Sequence, residues 1–564
     1  MSEQKQLTPV EIAKQKSRGL RGTLTDSFNN EITGALAADD QHLIKFHGIY
    51  QQDDRDRREE RAEKKLEAAF SYMVRLRMPG GDCSAEQWTG IQRVCDKMGT
   101  GVVKITTRQT VQIHGVVKAR LRPTVADFAE LGLDSIAACG DVNRNVVAGS
   151  QPALVPWHDQ VHIFAKKISE HLLPKTRGFY EVFLNGELLS TPEPEPDPLY
   201  QDRYLPRKFK IALAIPPHNE TDVYTQDIGL IAIEQNGGLA GFNVVAGGGM
   251  GATHGNPSTY PRLASLFGFI TPDQVLDVCW QIAAVQRDFG DRTDRKQARL
   301  KYTIDRMGLE AFKAELEKRL GYNLQPGREA NFSSRGDEFG WRKDHRGRWH
   351  YSAFIENGVV KDSADYRIRT FLAEYAEKKF GPIRFTTNQN VILLDLDDRK
   401  KAEVRTLLAQ HGIQVGLDRL TPVRGDALAC VALPTCPLAL AEAQRYLPDL
   451  LTKIEQILEK HSLQTTPISI RMTGCPNGCS RPYVAEIGLI GTAPDHYNLQ
   501  LGGDSLGTEL NRPYRENCSE SEILSSLDEA FRRFAAERTA GETFGGFANR
   551  ILMADSGRLR ANAI

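Results

Sequence analysis

The sequence predicts an α+β fold built from two diverged copies of one unit. The first observation is internal repetition: ITTRQTVQI at 105–113 recurs as FTTNQNVIL at 385–393, and DIGLIAI at 227–233 recurs as EIGLIGT at 486–492. The second is a period-two alternation of apolar and polar residues in several segments, which is typical of strands with one buried face. Two such copies are expected to pack with pseudo-twofold symmetry around a shared cleft.

Length and composition limit the classes of protein that the chain can belong to. At about 150 residues per domain, 564 residues are enough for three or four domains. The formal net charge is +0 and 40% of the residues are hydrophobic, so neither nucleic-acid binding nor bulk disorder is indicated. The N-terminus lacks the apolar core of a signal peptide, and no run is long enough to cross a bilayer. We therefore expect a cytoplasmic protein with no membrane and no nucleic-acid partner.

The first half of the chain places basic residues on strand faces. In YMVRLRMPGG at 72–81 every second residue is apolar, so Arg75 and Arg77 are expected to point the same way. The same rule, together with one loop, adds further polar residues to the predicted cleft: Lys104, Arg108, Gln112, Arg144, Lys208 and Lys210. Cations gathered in a cleft need an anion of comparable charge, because burial and mutual repulsion would otherwise disfavour them. The alternative is that these residues lie on solvated strand faces.

Four of the nine cysteines form two short clusters in the second half of the chain. CVALPTC supplies Cys430 and Cys436, and TGCPNGC supplies Cys475 and Cys479 in a loop that Pro and Gly keep from forming a helix. Zinc sites favour shorter spacers than the five residues between Cys430 and Cys436, whereas Cys-Pro is common in iron–sulfur loops. A cubane iron–sulfur cluster is therefore the preferred interpretation, with zinc and unliganded core cysteines as alternatives.

The glycine-rich segment AGGGMGATHG at 246–255 does not have the spacing of a dinucleotide-binding loop. We interpret it as a loop that lets the backbone approach a cofactor. Without a flavin or nicotinamide site in the chain, electrons would have to come from another protein. Residues 1–65, which include the charged run QQDDRDRREERAEKK at 51–65, have little apolar periodicity and are expected to form an N-terminal arm.

Taken together, these motifs resemble the siroheme-containing sulfite and nitrite reductases. The resemblance rests on RLRMPGG, TTRQTVQ, NRN, LPRKFK and the core TGCPNGC, and it spans almost the whole chain. It is strongest to the hemoprotein subunits of the assimilatory NADPH-dependent enzymes. It implies a three-domain architecture: the arm at 1–65, a duplicated ferredoxin-like αβ domain from 66–140 and 345–420, a first large repeat at 141–344, and a second at 421–564 that carries the cysteines.

The resemblance also implies roles for the predicted site residues. Cys430, Cys436, Cys475 and Cys479 would ligate a [4Fe-4S] cluster, and Cys479 would also bridge to the siroheme iron. The basic residues expected around bound sulfite are Arg75, Arg144, Lys208 and Lys210. The residues expected to contact the macrocycle are Lys104, Arg108, Gln112 and Asn477. Two departures from the family pattern are Lys104, where close relatives carry Arg, and Ser480, where Gly is expected.

The activity implied is the six-electron reduction of sulfite to sulfide in sulfur assimilation and cysteine biosynthesis. Siroheme carries eight carboxylates, which would account for more cations than a single substrate could pair with. The implied electron donor is a diflavin NADPH-dependent reductase (alpha) subunit that docks on the arm. Two alternatives remain open at this point: a ferredoxin-dependent sulfite or nitrite reductase, and a non-catalytic iron–sulfur electron carrier, which would have no use for a buried oxyanion site.

Overall fold

The computed structural model describes residues 6–175, 182–184, 187–190 and 196–554. The outermost residues of the first and last predicted domains, 1–5 and 555–564, lie outside the described residues. The fold is α+β, as the sequence predicts, with several five-stranded sheets covered by helices.

The described strands, numbered in chain order, are β1 (Ile49–Asp53), β2 (Phe70–Arg75), β3 (Asp82–Cys83), β4 (Val103–Thr106), β5 (Thr110–Val116), β6 (Val147–Ala148), β7 (Val182–Leu184), β8 (Glu187–Ser190), β9 (Ile211–Ala214), β10 (Ile228–Gln235), β11 (Gly238–Ala246), β12 (Ser265–Ile270), β13 (Gly340–Lys343), β14 (Trp349–Ala353), β15 (Val359–Val360), β16 (Ile383–Phe385), β17 (Val391–Leu396), β18 (Leu428–Ala429), β19 (Ile470–Thr473), β20 (Ile487–Ala493), β21 (His496–Leu501) and β22 (Arg512–Cys518).

The described α-helices are α1 (Pro9–Lys16), α2 (Leu24–Asn29), α3 (Asp40–Leu43), α4 (Arg58–Glu63), α5 (Ala85–Met98), α6 (Leu121–Glu130), α7 (Pro156–His171), α8 (Val275–Phe289), α9 (Leu300–Met307), α10 (Leu309–Leu320), α11 (Ile368–Glu377), α12 (Asp398–Gln410), α13 (Ile413–Asp418), α14 (Pro422–Gly425), α15 (Leu447–Lys460), α16 (Glu520–Glu537) and α17 (Phe544–Phe547). None of these described helices is long and apolar enough to cross a membrane.

The two large sheets repeat the same topology. One has the order β6-β9-β10-β11-β12 and the other β18-β19-β20-β21-β22. In each, the first two pairings are parallel and the last two antiparallel. Ile211 pairs with Ile228 in one sheet and Ile470 with Ile487 in the other, so the connections between these strands are equally long. Residues 211–228 therefore match 470–487 one for one, which confirms the predicted duplication.

The two smaller sheets exchange short strands. They have the orders β1-β2-β5-β4-β15 and β13-β14-β17-β16-β3, and all their pairings are antiparallel. β15, from the second half of the chain, completes the first sheet beside Lys104, while β3, from the first half, completes the second sheet beside Ile383. Each half-domain therefore contains an edge strand that belongs to the other.

The predicted N-terminal arm packs against the body of the protein over much of its length. β1 pairs with β2 throughout its five residues, and Leu43 and Ile44 are buried. In α1 the buried Lys14 ammonium pairs with Glu11 and donates to the carbonyl oxygen of Leu205 at 2.8 Å. One exposed part of the arm is α4, in which no residue is buried. Charged residues in the arm are thus partly internal ion pairs, which the sequence pattern alone does not distinguish from solvated charges.

Candidate active site

The four predicted cysteines converge at the ends of β18 and β19. Cys430 directly follows β18, and its sulfur accepts hydrogen bonds from the Thr473 hydroxyl and the Gly474 amide, both at 3.4 Å. The Cys475 sulfur accepts one from the Asn477 side chain at 3.5 Å. Hydrogen bonds of this kind stabilise thiolate ligands of a metal centre.

The protonation behaviour of these thiols indicates that a cationic group belongs among them. Burial raises the pKa of Cys430, Cys436 and Cys475, and the neighbouring Cys479 raises each of them further. Four thiolates would therefore be unstable here without a metal centre to balance their charge. Among the described residues no three His, Cys, Asp or Glu side chains are placed to hold a single metal ion.

A cationic pocket opens directly beside Cys479. It brings together five predicted residues: Arg108, Lys208, Lys210, Asn477 and Cys479. Its remaining lining residues are Thr107, Thr225, Gln226, Met250, Gly251, Arg299, Gly478 and Arg481. An adjoining cavity of about 250 Å³ is lined by five cations and no carboxylate: Arg207, Lys208, Arg295, Lys296 and Arg299. Together they form an anion site larger than a single small oxyanion requires.

Burial disfavours the charged forms of three cations of this pocket, Lys208, Lys210 and Arg108. Burial, together with the smaller effects of the nearby Arg207 and Arg299, lowers the pKa of Lys208 to about 7. Burial together with Lys208 also lowers the pKa of Lys210. The Arg108 side-chain Nε is buried without a hydrogen-bond partner. A ligand with several carboxylates would supply the missing partners, so these residues fit siroheme.

The predicted glycine loop reaches this pocket, and its approach to a cofactor stays a prediction. Met250 and Gly251 line it, and the Ala252 amide donates to the carbonyl oxygen of Pro476 in the cysteine loop at 2.8 Å. A Cβ atom at Gly248 would lie 2.2 Å from the carbonyl oxygen of Tyr224, so only glycine allows this close approach.

Arg75 and Arg144 form a second polar group near the pocket. The Arg75 guanidinium donates to Gln112 Oε1 at 2.8 Å and contacts the sulfur of Cys139 at 3.4 Å. The Arg144 guanidinium donates to the carbonyl oxygen of Gly140 at 2.9 Å. The positive charges of both arginines lower the pKa of Arg108, after the larger effect of burial, so they belong to the same electrostatic site.

Two basic residues differ from the simple strand-face expectation. Arg77 does not join the cleft, because β2 ends at Arg75 and the Arg77 guanidinium pairs with Asp134 at 2.6 Å. Lys104 is buried, and its ammonium donates to the carbonyl oxygen of Asn357 in the second half of the chain. Burial lowers the pKa of Lys104 to about 7, while the nearby Cys430 opposes that change. Lys104 therefore lies on the cysteine side of the site, and contact with the macrocycle stays a prediction.

A buried ion cluster at the pseudo-twofold axis was not anticipated from the sequence. The fully buried Asp222 carboxylate accepts hydrogen bonds from Arg471, at 2.5 Å, and from Arg481. Arg481 also donates to the carbonyl oxygens of Thr107 and Thr387, at 3.3 and 3.2 Å. The matched strands make Asp222 and Arg481 equivalent residues of the two copies, and both have left-handed backbone conformations. The only available sequence signal was their shared position ahead of the IGLI repeat.

The same correspondence shows how the two copies differ at the site. Cys479 matches Glu220 of the first copy. The Thr107 hydroxyl donates to the carbonyl oxygen of Cys479, and the Thr387 hydroxyl donates to that of Glu220. The backbone arrangement is thus retained in both copies, while only one carries a thiol.

Two further features bear on expectations from the sequence. Ser480, found where Gly was expected, is buried and its hydroxyl donates to the carbonyl oxygen of Met472 at 2.7 Å, so the departure is accommodated. Asp227, which precedes the first IGLI motif, accepts the Lys210 amide at 2.9 Å and pairs with Arg299 at 2.9 Å. It fixes the backbone beside Lys210, a role that the repeat itself did not reveal.

Comparison with known proteins shows where the chain belongs. Residues 65–131 and 342–411 match the nitrite/sulfite reductase ferredoxin-like half domain. Over 98% of its length the chain is 53% identical to the sulfite reductase [NADPH] hemoprotein beta-component of Leptospira biflexa, covering 99% of that protein. It belongs to the nitrite and sulfite reductase family. A Shewanella loihica protein of the same name is 49% identical, with 98% of this chain and 97% of that protein covered.

Within the nitrite and sulfite reductase family, further matches agree with the fold and with the predicted cofactors. Residues 168–324 match the nitrite and sulphite reductase 4Fe-4S domain, which lies in the first copy; the cysteines lie in the second copy, with its identical sheet topology. The Mycobacterium tuberculosis NirA structure superposes with a TM-score of 0.76 at 23% identity, covering 97% of both chains, which supports the fold. The predicted [4Fe-4S] cluster and siroheme are confirmed as the cofactors of this family.

Proposed function

We propose that this protein reduces sulfite to sulfide, with siroheme and a [4Fe-4S] cluster as its redox cofactors and Cys479 as the residue that would serve both. The observation that carries the proposal is that Cys479 belongs to the cysteine set and also lines the cationic pocket. One residue thus connects an electron-storing site to an anion-binding site. The names of the relatives from Leptospira and Shewanella support sulfite as the substrate.

Lys208, Lys210, Arg75 and Arg144 would bind the substrate. When bound, siroheme and its cluster supply an iron coordination position and electrons one at a time. The two lysines are the groups best placed to move protons, because burial brings the pKa of Lys208 to about 7 and also lowers that of Lys210. The two arginine guanidinium groups would orient the oxyanion by hydrogen bonds.

Arg108, Gln112, Lys104 and Asn477 would hold the macrocycle. Arg108 has the strongest case, since its fully buried guanidinium still has an unpartnered Nε. Gln112 bridges the Arg75 guanidinium and the ring of His114, at 2.8 and 2.9 Å, and would set the orientation of Arg75. Asn477 lines both the pocket and the adjoining cavity.

We also propose a diflavin NADPH-dependent reductase as the electron donor and the cytoplasm as the location, in line with the relatives' names. The proposed domains are the arm at 1–65, the ferredoxin-like domain from 66–140 and 345–420, and the large repeats at 141–344 and 421–564. Since β1 and α1 belong to the packed body, removing the whole arm would disturb the fold as well as docking. Charge reversal in the exposed α4 is the sharper test of docking: association with the flavoprotein should be lost while turnover with a small chemical reductant is retained.

The function is tested by the optical and EPR spectra of anaerobically purified protein, together with sulfide formation from sulfite. Siroheme absorption, a magnetically coupled cluster and six electrons consumed for each sulfide are expected. Stoichiometric zinc without siroheme would refute the assignment. Reduction of nitrite with no sulfide formed from sulfite would shift it to the nitrite-reducing members of the family.

A further inference from the structure

Among the described residues of the N-terminal arm, Arg55 contacts the cysteine loop. Its guanidinium donates to the carbonyl oxygen of Cys436 at 2.6 Å and to that of Ala439 at 2.9 Å, from the same nitrogen. Its Nε and its backbone amide both approach the carbonyl oxygen of Pro434, each at 3.4 Å. A single side chain from residue 55 therefore holds three carbonyl groups of the segment 434–439.

The backbone hydrogen bonds described within this segment are local. The Cys436 amide donates to Ala432, and the Ala439 amide closes a turn by donating to Cys436. Between them Leu438 is 61% exposed, so the loop around Cys436 lies at the protein surface. Charge-assisted hydrogen bonds from a planar guanidinium are stronger and more directional than neutral ones. Arg55 is thus the main constraint on this loop from outside the second large repeat.

A second contact keeps the same part of the arm in place. The Asp56 carboxylate pairs with Arg445 at 2.6 Å, and Arg445 also pairs with Glu442. These side chains are about half exposed, so the contact contributes little energy by itself. The ion pair between Asp56 and Arg445 nevertheless orients the turn from which Arg55 contacts the loop.

We propose that Arg55 is a positioning residue for the iron–sulfur cluster: it fixes the Cys436 loop, shields the cluster from solvent and favours the reduced cluster by its positive charge. The inference rests on the proposed function only in requiring Cys436 to be a cluster ligand. A guanidinium bound to the carbonyl group of a ligand residue stabilises the more negative oxidation state. The arm thereby acts on the redox centre as well as offering a docking surface.

The test compares holoenzymes carrying Arg55→Gln, Arg55→Lys and the control Arg58→Gln. Arg58 lies three residues further along the arm, where its exposed side chain pairs with Asp53 at 2.5 Å and does not reach the cysteine loop. Two readouts are measured: the rate of iron release to a chelator, and the cluster reduction potential by EPR-monitored titration. Siroheme content and circular dichroism confirm that each variant is folded.

Arg55→Gln should release iron about tenfold or more faster, because losing a charge-assisted hydrogen bond shifts an equilibrium by at least about that factor. Its potential should shift to a more negative value. Arg55→Lys keeps the positive charge but loses the planar guanidinium that reaches several carbonyl groups. It should therefore release iron faster, while its cluster reduction potential stays close to the wild-type value. Wild-type iron release and potential in Arg55→Gln would overturn the proposal, as would equal changes in Arg58→Gln. Failure of the proposed function would instead appear as a wild-type protein without a cluster or sulfide formation.

Discussion

Replacing Asp222 with Asn should destabilise the protein more than the loss of a partly exposed carboxylate charge would. Asp222 is fully buried between Arg471, Arg481 and Arg335. Burial favours its protonated form, but the three arginines outweigh burial and lower its pKa from 3.8 to about 2. At about 1.4 kcal/mol for each pH unit, this corresponds to roughly 2–3 kcal/mol of stability at neutral pH.

The expected loss is larger than that figure. Asn retains the shape but leaves three buried guanidinium groups without their counter-charge, and breaking a buried pair in this way typically costs about 3–5 kcal/mol. We expect the larger loss of unfolding free energy for the following reason. The pKa shift measures only the cost of protonating Asp222, whereas the Asn variant also leaves the buried arginines without a counter-charge. The wild type should moreover lose this contribution as the pH falls from about 4 to 2, because the carboxylate is stabilising only while ionised.

The assay is denaturant unfolding of the holoenzyme, followed by siroheme absorption and by circular dichroism so that any intermediate is detected. Asp134→Asn is the matched control, since its pair with Arg77 is partly exposed and should contribute less than about 1 kcal/mol. Asp222→Asn with a wild-type unfolding midpoint, or Asp134→Asn with an equal loss, would refute the reasoning.

Three further predictions concern the cofactors and the substrate. Cys479→Ser should lose iron and siroheme, whereas Cys518→Ser should retain both; iron, sulfide and heme analysis distinguishes the two, and full iron in Cys479→Ser would contradict the ligand assignment. Lys210→Ala should lose about ten- to a thousandfold in sulfite turnover while keeping siroheme, whereas Arg108→Ala should lose siroheme as well. A Lys210→Ala protein without siroheme would show that Lys210 binds the cofactor and not the substrate. Burial lowers the pKa of Lys208 to about 7, and a bound anion favours the charged form of this lysine. Heme-free protein should therefore bind siroheme up to about tenfold more weakly for each pH unit above 7. A siroheme affinity that does not change with pH would contradict this role of Lys208.

Much of the fold could be predicted because its signals are local. The duplication appears as matching sequence, and alternation placed Lys208 and Lys210 beside one another, as the structure confirms. Arg77 was predicted wrongly because alternation holds only while the strand continues, and β2 ends two residues earlier. The grouping of the four cysteines could also be predicted, because the spacing of metal-binding cysteines is a pattern that can be recognised without knowing the fold.

What could not be predicted are contacts between distant segments. Asp222 meets Arg471 and Arg481 across more than 240 positions, and neither partner has a spacing that identifies it. The Arg55 contact with Cys436 spans 381 positions and runs through carbonyl groups, which carry no sequence signal. The N-terminal arm illustrates the same limit, since its charged residues give the same sequence pattern whether their side chains are solvated or form ion pairs.

The exchange of β3 and β15 between the two small sheets has a consequence for how the chain can be divided. Each sheet lacks an edge strand unless the other half of the chain is present, and the exchanged residues Cys83 and Val360 are fully buried. Halves expressed separately should therefore expose an unpaired sheet edge and tend to associate with each other or to aggregate.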